Sequence, residues 1–327
     1  MNDPHGTGPG SPERQPAGPD LLAGRERALR TLELSVKRKL EGFLHGEITG
    51  LRSGPGAEPN EARPYQAGQD DVRRMDWNVT ARSLEPHVRA PLAERELETW
   101  AFLDASASMD FGTALSEKRD LAIAVVGAVG LLADRPGNRL GVRIAVGDRL
   151  SRIPDVGGAA ALRRTLRALL SLPRATPGQH PAVRLGTAIT RLNREHPRPG
   201  LRVVVSDFHD DTWAEPLRRL AARHEVIAVE VLDPRELELP EVGLLTLVDP
   251  ETGRRREVQT SSKKLRRKYA DVMTAKRAQT ARDIRAAGAA HLVLRTDTDW
   301  VREVAAFATA RRRAHTRRPS TSRTGIR

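Results

Sequence analysis

No cysteine occurs in the 327 residues, which excludes disulfides, thiolate metal sites and cysteine nucleophiles. Aromatic residues make up only 3%, so the core must rest on Leu, Val, Ile and Ala. No apolar run approaches the roughly 20 residues that cross a membrane. Met1 to Asp20 is Pro, Gly and charge, with none of the apolar character of a signal peptide. A cytoplasmic location is therefore expected. Catalytic signatures are missing too. There is no Gly-x-x-x-x-Gly-Lys-Ser/Thr loop to cradle phosphates, so ATP hydrolysis would belong to a partner. Neither a Gly-x-Ser-x-Gly elbow nor a Gly-x-Gly-x-x-Gly turn after a strand is present, and the nine histidines show no His-Glu-x-x-His spacing.

Charge is abundant and uneven. The net charge is +13, and Arg311 to Arg327 contains no acidic residue. A second basic cluster comprises Arg254 to Arg256, Lys263-Lys264 and Arg266 to Lys268. Such clusters suit a polyanion or an anionic membrane surface. The favoured reading is a solvated tail and a charged helix face, because no aromatic is interleaved in the tail to stack on bases.

The chain is organised around Glu98 to Met109. The apolar run Trp100 to Leu103 has the length of a buried strand and ends on Asp104, with Ser106 and Ser108 following in the loop. Asp-x-Ser-x-Ser aims three hard oxygen donors at one spot, a set suited to Mg²⁺ or Mn²⁺. A nearly all-apolar helix is expected over Leu121 to Ala133. Alternation from Leu140 to Val146, a turn at Gly147-Asp148 and a return through Arg149 to Ile153 predict an antiparallel edge strand. Helices are expected over Ala159 to Leu172 and Val183 to Arg194. Leu201 to Val205 reads as an apolar run of strand length that ends on Ser206-Asp207. A helix over Trp213 to Arg223, a strand over Val226 to Leu232, a loop from Asp233 to Pro240 and a hairpin about Asp249 to Gly253 follow. A basic helix capped by Ser261 or Ser262 and stopped by Gly288, a strand over His291 to Leu294 and a helix over Trp300 to Arg311 complete the series.

This alternation predicts an α/β doubly wound, mostly parallel sheet with one antiparallel edge strand and an N-terminal helix/loop extension. The expected divisions are 1–20 disordered, 21–98 an extension beginning with an amphipathic helix over Leu21 to Leu44, 99–308 the sheet domain, and 309–327 a disordered basic tail. Within the extension, Arg63 to Arg82 is dense in Arg and Asp. It is expected to lie against the sheet as a structural unit, with Trp77 filling a hole. Ligands bind such sheets at the carboxyl edge, where strand order reverses. That point is expected between the strands ending at Asp104 and Asp207. Thr187, after Gly186 at a helix entry, can bring another hydroxyl there. The candidate metal ligands are thus Asp104, Ser106, Ser108, Thr187 and Asp207. His209 is expected to point to solvent.

This ligand set resembles the metal-ion-dependent adhesion site of von Willebrand factor A domains. The chain more closely resembles the bacterial "domain of unknown function 58" family, through Arg63, Tyr65, Gly68, Asp70, Asp71, Arg73, Asp76, Trp77, Ala81 and Arg82, then Asp104, Ser106, Ser108 and Met109, and later Ser206-Asp207-Phe208 and Asp233 to Glu236 with Leu239-Pro240. Gln69 adds a residue to the first motif. The resemblance implies a von Willebrand factor A-like fold and a metal-dependent protein–protein interaction module or adaptor, working with a MoxR-type AAA+ ATPase or its client in protein assembly or remodelling, with no catalytic residues of its own. The alternatives are an Mg-dependent hydrolase or phosphotransferase that uses Asp104, and a nucleic-acid-binding protein that uses the basic helix and tail. Against the enzyme, the loop supplies neither a second carboxylate two residues on nor a lysine.

Overall fold

Runs of Val, Ile, Leu and Ala with no polar alternation demand cover on both faces of a strand, and the chain supplies it. In a computed structural model of the protein the described residues are 62–66, 71–83, 85–89, 98–114, 116–132, 138–147, 149–175, 178 and 184–316. The readings of Met1 to Asp20, of Leu21 to Leu44, of Gln69 and of 317–327 lie outside them.

Two short strands, β1 (Ala62–Pro64) and β2 (His87–Arg89), pair antiparallel beside α1 (Trp77–Ser83). The main strands are β3 (Glu98–Asp104), β4 (Arg139–Val146), β5 (Arg149–Val156), β6 (Leu201–Ser206) and β7 (Glu225–Leu232). A separate hairpin, β8 (Leu244–Val248) with β9 (Arg255–Gln259), precedes the last strand, β10 (Ala290–Arg295). The helices between and after them are α2 (Lys118–Leu132), α3 (Ala159–Leu170), α4 (Leu185–Glu195), α5 (Ala214–Ala221), α6 (Pro234–Leu237), α7 (Lys263–Ala286) and α8 (Trp300–Thr316).

The six-stranded sheet has the order β10-β7-β6-β3-β4-β5. All neighbours are parallel except β4 and β5, so β5 is the expected antiparallel edge. The order reverses between β3 and β6, as anticipated. One face of the sheet, with Ala101, Leu103, Val203, Val205, Val229 and Val231, packs with Leu121, Val125, Leu166 and Val304. The other, with Trp100, Phe102, Val204 and Ala228, packs with Ile189, Leu192, Leu217, Leu220 and Ile284. Each large side chain buried this way contributes roughly 1.5–3 kcal/mol. Among the described residues, no helix is long and apolar enough to cross a membrane.

Several expectations need correction. The strand Leu201–Ser206 is not uniformly apolar, because it contains a fully buried Arg202. The segment after Leu232 is not all loop. Asp233 accepts from Arg235 N–H, Glu236 accepts from Asp233 N–H, and Pro234 occupies the first turn, so a capping box nucleates α6. Trp77 fills no hole: it starts α1 and is 67% exposed, while Asp76 caps that helix through Asn78 and Val79. Helix α8 runs five residues past Arg311, to Thr316, which takes in the start of the segment read as tail.

Candidate metal centre

Strand β3 delivers Asp104 to the carboxyl edge, and the loop after it turns at once. Asp104 Oδ1 accepts the Ser106 N–H at 3.0 Å, an Asx-type bond that bends the chain back toward the carboxylate. A 3-10 turn, Ala107–Asp110, follows, with Met109 fully buried beneath it. The hydroxyls of Ser106 and Ser108 come within 3.0 Å of each other. From the adjacent strand, the Ser206 hydroxyl donates to Asp104 Oδ2 at 2.6 Å. Asp207 is the next residue, so both aspartates meet at the point where strand order reverses. Asp104, Ser106, Ser108 and Asp207 are each no more than 6% exposed.

Thr187 is exposed in the first turn of α4. That helix end is stitched to the loop after β6. Asp210 Oδ2 accepts the Leu185 N–H at 2.7 Å, and Thr212 Oγ1 accepts the Gly186 N–H at 3.1 Å. Position 186 must be glycine, because a Cβ there would lie 2.2 Å from the Thr212 carbonyl oxygen. Thr187 thus shares the carboxyl edge with the aspartates, and among the described residues no hydrogen bond of the buried cluster reaches it.

Groups from more distant parts of the chain complete the centre. Lys118, from the first turn of α2, is fully buried and donates to Asp207 Oδ2 at 2.9 Å and to Glu236 Oε1 at 2.5 Å. The loop does therefore receive a lysine, from ten residues beyond Ser108. Glu236 is placed by α6. Its capping partner Asp233 is buried and binds Thr113 through N–H and hydroxyl, at 2.8 and 2.6 Å, and the Thr296 hydroxyl at 2.7 Å. Glu251, at the β8–β9 turn, accepts the Ser108 N–H at 3.2 Å. His209 is turned half inward, with Nδ1 3.3 Å from Asp207 Oδ2, and does not simply face solvent.

The electrostatics follow from this crowding. Burial and the neighbouring Asp207 push the Asp104 carboxyl up to about 6, against the opposing bonds from Ser206 and Ser106. Burial would also raise Asp207, but Lys118 and His209 outweigh it and hold that carboxyl well below the usual range. Burial would lower the Lys118 ammonium, yet Asp207 and Glu236 keep it above the usual lysine value. Burial and Asp207 raise Glu251, although Ser108 opposes them.

The ligand atoms of Asp207, His209 and Glu236 lie within 4.8 Å of one another, a spacing that suits a metal. The Lys118 ammonium already bonds to two of the three, so that corner holds a protein-borne cation. The Asp104, Ser106 and Ser108 corner is different. It offers a carboxylate and two hydroxyls, and of the four carboxyl groups of the centre only Asp207 and Glu236 bond the Lys118 ammonium. Oxygen-only donors with a deficit of positive charge fit Mg²⁺ or Mn²⁺.

A family model described as "Protein of unknown function DUF58" matches residues 61–279. The chain belongs to the DUF58 family. An uncharacterized protein of Mycobacterium tuberculosis is 51% identical over 287 residues, which cover 88% of this DUF58 chain and 89% of the relative. One from Mycobacterium avium is 44% identical over 165 residues, or 50% of this chain and 96% of its own. Among solved structures, the conserved hypothetical protein BatB from Bacteroides thetaiotaomicron is 16% identical with a TM-score of 0.42, covering 67% of this chain and 99% of that one. The SpRpn10 VWA domain is 12% identical with a TM-score of 0.36, covering 64% and 94%.

Proposed function

We propose that this DUF58 chain is a metal-dependent protein-interaction module. Asp104, Ser106, Ser108 and Asp207, with Thr187 at the edge, would hold Mg²⁺ or Mn²⁺. When bound, the ion offers a Lewis-acidic position that accepts a carboxylate from a partner. The observation that carries this reading is the convergence of two buried aspartates and two serine hydroxyls at the sheet's switch point, with acidic groups in excess. Each protein group has a distinct task. Asp104 supplies the fixed charge, and Ser206 and the Ser106 N–H orient it. Ser106 and Ser108 supply neutral oxygens. Lys118 holds Asp207 in its ionised form and fixes its orientation.

The partner proposed is a cytoplasmic MoxR-type AAA+ ATPase or a client delivered to it, with this chain as adaptor in protein assembly or remodelling. Calorimetric titration of Mn²⁺ into the wild type and Asp104→Ala tests the metal reading. Binding should be lost in the variant, and equal binding by both would refute the assignment. Affinity capture with and without EDTA tests the partner. An ATPase recovered only from the wild type with metal present is the expected result, whereas recovery of nucleic acid alone, released by salt, would assign function to the basic surface instead.

A further inference from the structure

The turn between β8 and β9 is built to aim one side chain. Asp249 Oδ1 accepts from the N–H groups of Glu251 and Thr252, at 3.0 and 3.3 Å, and its Oδ2 accepts the Thr252 hydroxyl at 2.6 Å. Gly253, at φ 69°, lets the chain turn back and donates to the Asp249 carbonyl at 2.8 Å. Glu251 is left near the apex. Its neighbour Thr252 faces solvent, but Glu251 is half buried and reaches Ser108, 143 residues earlier in the chain. On another side of the tip, Gly178 donates to the Pro250 carbonyl at 3.3 Å.

A carboxylate is a poor choice for this position on charge alone, since Asp104 and Asp207 are already buried there. A single N–H does not offset that repulsion, but a divalent cation does. Each carboxylate oxygen carries two lone pairs, so the bond to Ser108 leaves Glu251 able to take a cation as well.

We propose that Glu251 is a further ligand residue of the metal centre, occupying in the isolated chain the carboxylate place that a partner would fill. This rests on the metal-docking reading above. The hairpin tip must then withdraw before a partner's acidic side chain enters. Affinity for the partner is set by the difference between the two carboxylates, not by the metal alone.

The test uses the full chain and Mn²⁺ alone, then glutarate as a probe carboxylate. Glu251→Gln keeps size and shape, and Arg254→Gln on the same turn serves as control. Calorimetry should show Mn²⁺ bound about tenfold more weakly by Glu251→Gln than by wild type or control. The bound ion should relax water protons more strongly in Glu251→Gln, because water replaces the carboxylate. Mn²⁺-loaded Glu251→Gln should also take up glutarate more tightly than wild type. Unchanged Mn²⁺ affinity and water relaxation, with wild-type binding intact, would overturn the Glu251 assignment and leave the metal centre standing. Absence of Mn²⁺ binding by the wild type would overturn both.

Discussion

The two ends of the main sheet bury charge of opposite sign and treat it differently. At the amino end the cations dominate. Arg202 is fully buried and donates to the carbonyls of Glu98, Leu201, His196 and Arg198, and to Glu98 Oε1 at 3.4 Å. Arg143 pairs with Glu195 at the end of α4. Trp100 stacks on His196 with centroids 3.6 Å apart and donates to Glu98 at 2.7 Å, and position 141 is glycine because a Cβ there would lie 2.5 Å from the indole ring. At the carboxyl end the anions dominate, and Lys118 answers only part of them. The polarity of the fold accounts for the difference. A doubly wound sheet sends helix C-termini, with their unpaired carbonyls, to one end and helix N-termini to the other. Guanidinium groups suit the first, and His196 is itself the cap residue of α4. Anions suit the second. Buried charge alone therefore marks no functional site. The amino end is a clasp in which the terminal nitrogens of Arg202 and the Arg143 guanidinium find acceptors within the chain, whereas at the carboxyl end Lys118 bonds only Asp207 and Glu236.

The largest effect should come from Lys118→Met, which strands buried carboxylates. Urea unfolding should show a loss of about 3–5 kcal/mol. A loss well under 1 kcal/mol would mean that the carboxyl end tolerates its excess charge unaided and that the two ends do not differ in this way. Next, Arg202→Met should cost about 2–3 kcal/mol, because several buried carbonyls lose their donor. Mn²⁺ affinity should stay unchanged in this variant, and a shift of more than a few fold would show that the two ends are coupled.

The smallest effect concerns pH. Burial, then the guanidinium groups of Arg143 and Arg202, lower His196 to about 4, and burial with Arg202 and Arg223 lowers His224 to about 4. An imidazole that takes its proton more readily when unfolded contributes stability that is whole above about 6.5 and lost as pH falls toward 4. His196→Gln should flatten that limb of a stability–pH curve, by on the order of 1 kcal/mol once solvent screening is allowed for. An unaltered slope would remove His196 from the clasp.

Much of this architecture was legible because both faces of the sheet are covered. Strand-length apolar runs ending on Asp104 and Asp207, separated by helical stretches, specify the alternation, and the turns at Gly147 and Gly253 punctuate it. The meeting of Asp104, Ser106, Ser108 and Asp207, the residues proposed to hold a metal, was legible for the same reason, since they lie within a few positions of a strand end. Lys118, Glu236 and Glu251 were not, because long-range packing brings them in and no local period reports it. Glu236 did leave a local trace, the Asp233-Pro234-Arg235-Glu236 capping box, which a reading of 233–240 as loop passed over. Arg202 was hidden by its apolar neighbours in the sequence; its terminal nitrogens bond carbonyls of the segment just before it, and its buried Nε has no partner among the described residues. Trp77 misled because tryptophan usually packs inside, whereas here it opens a short helix that is tied down by Asp76, Thr80 and Ser83.

The hairpin of β8 and β9 adds no strand to the main sheet and is fastened at its base by buried Thr260, which bonds Gly243 through its N–H at 2.7 Å and its hydroxyl at 2.8 Å. Its tip, length and charge can therefore change while the core stays as it is. Descendants of one scaffold could diverge in the partners they meet by altering this segment alone, without passing through unstable intermediates. The same independence makes it a natural place for a transplanted recognition loop.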